Sequence, residues 1–418
     1  MPSVLNDNNM IAVLDIGTSK TACVLAYPEG EDKAVVIGAG SYQNTGVKKS
    51  GIIEMNPVVD SILHAVANAE NQTKERVKAV VASACVSELS SKIIYDSLDL
   101  GGREVTQNDV DRLIAGARDK IPASNEEDVL HCITIDYSLD SRHAIADPRG
   151  LSGEKLFLAL NTVMAPAYPV RDINSALDQC HLSCVKIVAS PYAAGLACLT
   201  REEKEQGTAV IDMGAGTTGV GVFYEDQLVF ASKVDIGGDT ITKDLATAFR
   251  MSLDNAERIK TLKGSCLPSA AYEHEEVEIP LIGENDSVSA IRVSRAHIVQ
   301  KIAPRIDELF EKIKNLLEQN GFYDICTNVV LTGGGALLRG INEKASAVLQ
   351  RNVRTGQPLG LTDKQGIIPP HAWQSYMGCV GLLHYTTRVL LNAPTRRRDV
   401  SVSGNKFVRF FRWFLDNS

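Results

Sequence analysis

Aromatic residues are scarce in this sequence, 6% of 418 residues, and tryptophan occurs only twice. No apolar run approaches the roughly 18 residues that a spanning helix needs, so no transmembrane segment is expected. The opening stretch MPSVLNDNNM has neither a basic flank nor an apolar core, so no secretory signal is expected either. Basic charge is not in excess: the formal net charge is -8, which argues against a nucleic-acid partner held by a basic surface. Nine cysteines are present, yet none forms a CxxC pair. The closest two, Cys180 and Cys184 in CHLSC, lack obvious partners for a zinc site, so reduced and mostly buried thiols are expected. The Gly-Lys-Ser/Thr ending of a Walker A loop is also missing.

What is there is ordinary globular material, 44% hydrophobic and 22% charged, long enough for two domains or more. Its informative feature is an internal repeat. IAVLDIGTSKTACVLAY begins at Ile11 and AVIDMGAGTTGVGVFY at Ala209. Asp15 aligns with Asp212, Gly17 with Gly214, Thr21 with Thr218 and Tyr27 with Tyr224. Each unit reads as a strand, a D-x-G turn with small or hydroxyl residues, and a second strand. Turns built on Gly17, Gly214 and Gly216 let the backbone approach a ligand closely. Their N–H groups form a concave anion site, to which Thr18, Ser19, Thr217 and Thr218 add hydroxyl donors. Asp15 and Asp212 close the first strand of each unit, and a carboxylate there suits a hydrated Mg²⁺ beside a polyphosphate. Two such hairpins face to face would grip a nucleotide's phosphates. The Gly214-x-Gly216-x-x-Gly219 spacing matches a dinucleotide fingerprint, but a Val- and Phe-rich alternating stretch follows where that motif requires a helix. A bare pair of glycine-rich hairpins without ligand is the bland alternative.

A third cluster, VVLTGGGALLRGI, runs an apolar strand into Gly333, Gly334 and Gly335 and then a helical pattern. Three glycines allow a flat group such as a nucleoside to lie on the backbone; a plain strand–helix turn is the alternative. Glu257 and Lys260, three apart in NAERIK, share a helix face and read equally as a surface ion pair. The run Glu273–Glu278 reads as a solvated turn or edge. RIDELFEKIKNLLEQNG predicts a helix that Gly321 stops.

The chain ends on a local extreme. TRRRDVSVSGN reads as a flexible linker, followed by FVRFFRWFL at 407–415. Wound as a helix at 100° per residue from Phe407, the side chains of Val408, Phe410, Phe411, Phe414 and Leu415 fall within an arc of about 160°. Arg409 and Arg412 take the opposite face with Lys406 and Asp416, and Trp413 sits at the boundary. Such a helix lies in a bilayer interface with its cations near anionic lipid headgroups. Five buried apolar side chains are worth about 1.5–3 kcal/mol each before entropy costs. Docking on the protein's own core or in a partner's groove are the competing readings.

The three glycine motifs, in this order and spacing, resemble the actin–Hsp70–sugar kinase superfamily. Asp15–Thr21 is similar to its first phosphate motif, Asp212–Thr218 to its second and Gly333–Gly335 to its adenosine motif. GIIEMNPVVDSILHAVANAE, VTQNDVDRLIAGAR, GLSGEKLFLALNTV and GLLHY narrow the resemblance to the FtsA family of bacterial cell-division proteins, over nearly the whole chain. It implies an α/β, actin-like duplicated ATPase fold with an FtsA-type subdomain 1C in place of 1B, plus a C-terminal amphipathic helix. Subdomain 1A would cover 10–84 and 164–206, 1C 85–163, 2A 207–230 and 306–391, and 2B 231–305; the linker would be 392–404 and the membrane helix 405–418. Nucleotide contacts would fall on Gly17, Thr18, Ser19, Lys20, Gly214, Ala215, Gly216, Thr217, Thr218, Glu257, Lys260 and Gly333–Gly335, with ATP and Mg²⁺ as cofactors and Asp15 and Asp212 reaching the metal through water. Ser190 stands where related ATPases carry a residue that orients the attacking water, which implies ATP binding with weak or no hydrolysis. The expected partners are the FtsZ C-terminal tail, further copies of the chain, anionic membrane lipids and other divisome proteins, at the cytoplasmic face of the plasma membrane at the division site. An actin-like scaffold of a pilus or secretion system, or a small-molecule kinase of the same superfamily, are the alternatives.

Overall fold

The structure, a computed structural model, describes residues 5–30, 33–49, 51–84, 86–122, 125–280 and 290–391. The linker at 392–404 and the amphipathic segment at 405–418 lie outside the described residues.

Two sheets repeat one topology. The first runs Ser183–Val188, Ala79–Ala84, Ile11–Ile16, Lys20–Pro28, Ala34–Gln43, with Leu361–Thr362 on its far edge. The second runs Asn352–Thr355, Asn328–Thr332, Thr208–Met213, Thr218–Tyr224, Gln227–Val234. In each, three antiparallel strands form a meander and two further strands add in parallel beside its first strand; in the first sheet Leu361–Thr362 adds a third in parallel at the other edge. The duplication holds at the level of register. Ile16 faces Thr21 and Thr21 faces Tyr42 in the first half; Met213 faces Thr218 and Thr218 faces Val234 in the second.

Helices cover the sheets by shape as well as by apolar area. Met55–Glu70 buries Val58, Ser61, Ile62, Ala65, Val66 and Ala69, a stripe at helical spacing. It lies directly on the strand Ala34–Gln43, where a Cβ on Gly38 or Gly40 would run into the carbonyls of Ala69 and Ala65. The helices Ser190–Cys198 and Met377–Tyr385 are apolar nearly all round and sit between the halves. Gly381 rests on the backbone of Ala193 there, and Gly195 on the ring of Phe223.

The helix expected from Arg305 begins ten residues earlier and spans Arg295–Gln319 straight through Pro304. Proline costs such a helix a hydrogen bond and about 3 kcal/mol. Ile298, Ile302, Ile306, Leu309, Phe310, Ile313 and Leu317 form the buried stripe, and at about 1.5–3 kcal/mol apiece they outweigh it. Gly321 takes the expected left-handed conformation, φ 74°, just beyond its end. Glu276–Pro280 pairs with Ala290–Ser294 in a two-stranded ribbon, so the acidic run does lie at an edge. One member is not merely solvated: Glu275 is bonded to Lys263 at 2.8 Å and Arg295 at 2.9 Å, which hold its carboxyl down near 2.

The stretch between the first meander and Ser183 carries an insert with its own antiparallel sheet, in the order Ser90–Asp99, Lys155–Pro166, Glu127–Leu139, Arg142–Ile145. The helix Gln107–Asp119 closes one face, opened by a capping box between Thr106 and Asp109. Arg103 clamps Asp109 with two 2.7 Å bonds. The insert is fastened to the second half as well. Asn161 is fully buried and donates to Leu228 O at 2.9 Å, and Lys233 Nζ donates to Val86 O at 3.1 Å.

Candidate functional site

Both D-x-G turns close the same way. Gly17 N donates to Lys20 O at 2.9 Å, and Gly214 N donates to Thr217 O at 3.1 Å. The turns meet tip to tip: a Cβ on Gly216 would lie 2.6 Å from Thr18 Oγ1. The third glycine turn joins them from below. Gly333 has φ 82°, a left-handed value, and a Cβ on it would lie 2.7 Å from both Asp212 Oδ1 and Met213 O. Gly335 is pressed on Met213, while Gly334 faces open space. A short 3₁₀ turn, Gly334–Leu337, separates this loop from the helix Ile341–Leu349, so the expected helix starts later than the pattern suggested.

Glu257 and Lys260 belong to the same neighbourhood. Lys260 Nζ donates to Glu257 Oε2 at 2.6 Å, to Thr242 Oγ1 at 2.8 Å and to Gly238 O at 3.1 Å. Gly238 in turn donates its N–H to Gly214 O at 2.9 Å, and Asp239 donates to Ala215 O at 2.8 Å. The start of the helix Gly238–Phe249 is therefore bolted to the second turn. The pair is more than a surface ion pair, because Lys260 joins two helices at Gly238, whose N–H holds the turn. Thr242 carries no sequence signal; packing of the helices Gly238–Phe249 and Leu253–Lys263 brings it in.

Asp15 and Asp212 sit at the floor of the cleft with protein close around them. Burial raises the Asp212 carboxyl to about 7, the nearby negative Asp15 adds to the rise, and Lys233 opposes it. Asp15 is raised by burial against the pull of Lys20, and burial lowers Lys20. Lys20 Nζ also lies 5.8 Å from the centroid of the Tyr376 ring. The helix Met377–Tyr385 starts against Asp15, where a Cβ on Gly378 would strike the carboxylate. Lys233 is the functional neighbour that sequence reading missed. It occupies one cross-strand row with Gly219 and Asp212, and the Pro191 ring packs over Gly219 in that row. Thr217 also lines an open groove of about 630 Å³ with Lys49, Lys233, Asp235 and Lys312. Ser190 opens the helix Ser190–Cys198 after Ala189, whose N–H is accepted by His131 Nε2 of the insert at 3.0 Å.

Asp15 and Asp212 are neighbouring half-buried carboxylates, the negative Asp15 raising the cost of ionising Asp212, and such oxygen ligands suit a hard divalent cation. The turns Gly17–Lys20, Gly214–Thr218 and Gly333–Gly335 gather around them, and Glu257 and Lys260 reach the second turn through Gly238; Phe407–Leu415 lie outside the described residues.

A duplicated five-strand sheet with two apposed hairpins is an actin-like fold, and solved structures bear this out. A PilM-PilN type IV pilus biogenesis complex matches with TM-score 0.65 at 17% identity, covering 90% of this chain and 98% of that one. MreB 5 of Spiroplasma citri bound to AMPPNP matches with TM-score 0.54 at 13% identity, covering 93% and 99%. Within the fold, residues 209–375 match the family model "Cell division protein FtsA", and residues 87–164 match "SHS2 domain inserted in FTSA", the insert just described. Cell division protein FtsA of Rhizobium meliloti (strain 1021) is 32% identical over 98% of this chain and 95% of its own length. The chain belongs to the FtsA family of cell division proteins.

Proposed function

We propose that this protein binds ATP·Mg²⁺ between its two halves and tethers FtsZ filaments to the cytoplasmic face of the plasma membrane at the division site, self-polymerising and recruiting other divisome proteins. The observation that carries the nucleotide part is the convergence of three glycine turns on Asp15 and Asp212. Phosphates would lie against the backbone of Gly17–Lys20 and Gly214–Thr218, with Lys20 as a point charge. The nucleoside would lie between Gly333–Gly335 and the Glu257–Lys260 pair. Asp15 and Asp212 would hold Mg²⁺ through water, and the ion supplies charge neutralisation beside the phosphates. Structures of this fold in complex with AMPPNP and with ADP support that reading. Family membership supports the division role.

The membrane part rests on the amphipathic segment Phe407–Leu415. One short helix binds weakly, and a polymer presenting many copies binds through multivalency. Liposome flotation of the full chain against a chain ending at Ala393, each with and without ATP, tests it. The full chain floats on anionic vesicles and the shortened chain does not; equal flotation refutes the anchor. A tail-intact form unable to self-associate should detach at concentrations where the polymer stays bound. Pull-down of FtsZ tests the partner and separates this reading from a pilus-type scaffold.

A further inference from the structure

The two phosphate-type turns pose the same problem, and the halves solve it with different chemistry. In a trans peptide the C=O and the following N–H point in opposite directions. Holding the carbonyl of a turn residue away from the cleft therefore aims the next N–H toward it. In the second half Gly214 O is held by Gly238 N–H at 2.9 Å and Ala215 O by Asp239 N–H at 2.8 Å, both from the start of a helix. That helix follows the meander directly.

In the first half no helix arrives at that point among the described residues. The chain after the meander makes a detour through residues 44–54 before the helix Met55–Glu70 begins. Gly17 O, the counterpart of Gly214 O, accepts instead from the Asn44 side chain, Nδ2 at 3.1 Å. By strand register Asn44 is the counterpart of Ile236: each stands two residues past the partner of the equivalent threonines, Tyr42 past Thr21 and Val234 past Thr218. The threonines confirm the exchange of roles. Thr218 Oγ1 donates to the main-chain oxygen of Ile236 at 2.7 Å. Thr21 Oγ1 instead lies 3.4 Å from Asn44 Nδ2 and 2.7 Å from Ser61 Oγ on the helix behind.

Asn44 is 3% exposed, and its remaining groups are used: its N–H donates to Ser19 O at 3.0 Å, and its Oδ1 accepts from Gly46 N at 3.0 Å. A buried amide with every group satisfied is a rigid support. We propose that Asn44 is the positioning residue of the first phosphate-binding turn, aiming the Thr18 N–H at the β- and γ-phosphates as the helix start at Gly238 aims the second turn. The proposal rests on the reading of the cleft as a nucleotide site.

The test compares Asn44→Ala and Asn44→Ser with the unaltered full chain, by calorimetric titration with ATP, ADP and adenosine in the presence of Mg²⁺. Loss of one net hydrogen bond aimed at charge weakens ATP and ADP binding by about tenfold in Asn44→Ala, with a smaller loss in Asn44→Ser. Adenosine affinity stays within about twofold, because no phosphate is involved. Unchanged ATP affinity overturns the proposal, as does an equal loss for all three ligands, which marks general damage. Hydrogen exchange on the ligand-free chains supplies an independent arm. Asn44→Ser speeds exchange at 17–20 and not at 214–218; uniform or unchanged exchange overturns the holding role. If the unaltered chain binds neither ATP nor adenosine, the nucleotide reading itself fails, and the exchange arm still decides on Asn44.

Discussion

His131 makes the joint between the insert and the body sensitive to acid. Its ring is buried, with Tyr192 at 5.1 Å and Tyr385 at 5.5 Å between centroids, both edge-on. Its Nε2 accepts the Ala189 N–H, so the folded state requires the neutral ring. Burial, with Lys186 adding, lowers its pKa to about 3 from an ordinary 6.5. Between those values the unfolded chain binds a proton that the folded chain refuses, so stability rises with pH across that window and is lost as pH falls. The slope approaches about 1.4 kcal/mol per pH unit, which gives about 2 kcal/mol lost between pH 7 and pH 5. His131→Phe keeps the ring contacts and removes both the acceptor and the titration. At pH 7 it costs about 1–3 kcal/mol for the orphaned N–H. Urea unfolding of both chains, followed by circular dichroism at pH 7 and pH 5, is the assay. Other groups titrate equally in the two chains, so the difference between them isolates His131. The unaltered chain should lose about 2 kcal/mol more than His131→Phe on acidification. Equal losses would refute the buried neutral ring.

Two further expectations concern the seams between the halves. A Cβ on Gly195 would overlap the Phe223 ring, so Gly195→Ala destabilises by about 1–3 kcal/mol. Phe223→Leu should recover part of that loss in the double variant, and strict additivity in urea melts would contradict the contact. Asp226 lies between two cations, Lys204 Nζ at 3.3 Å and the Arg388 guanidinium bonded to its other oxygen, with Lys204 only 7% exposed. Asp226→Ala removes the carboxylate that the buried Lys204 and Arg388 share and costs about 3–5 kcal/mol. Arg388→Ala leaves Lys204 still paired and should cost less; the reverse order in thermal melts would discount the cluster.

How far the sequence carries depends on whether a contact is local. The hairpins Ile11–Pro28 and Thr208–Tyr224 are local objects, and the alignment of Asp15 with Asp212 and Thr21 with Thr218 survives as identical strand register. The Glu257–Lys260 pair was legible for the same reason, since three residues on a helix fix a shared face. Lys233 was not legible from its own segment. Its place in the row with Asp212 depends on two strand pairings, Asp212 with Gly219 and Gly219 with Lys233. Thr242 depends on how two helices pack. The helix expected from Arg305 also starts earlier than its local pattern, because Pro304 is outweighed by a stripe of buried side chains from Ile298 to Leu317.

Asn44 shows the deepest limit. A search for repeated motifs finds residues that do the same job with the same side chain. The job of holding Gly17 O falls to a side-chain amide, and the job of holding Gly214 O falls to a backbone N–H at a helix start. The counterpart of Asn44 is an isoleucine, so alignment alone would score the position as divergent. Physical equivalence here lies in a carbonyl that must be turned away from the cleft, and residue identity follows from what the chain does next. Where a helix begins at once, any residue but proline can supply the donor. Where the chain detours through 44–54 first, a buried side-chain donor has to replace it, so the donor is sequence-specific only in the first half.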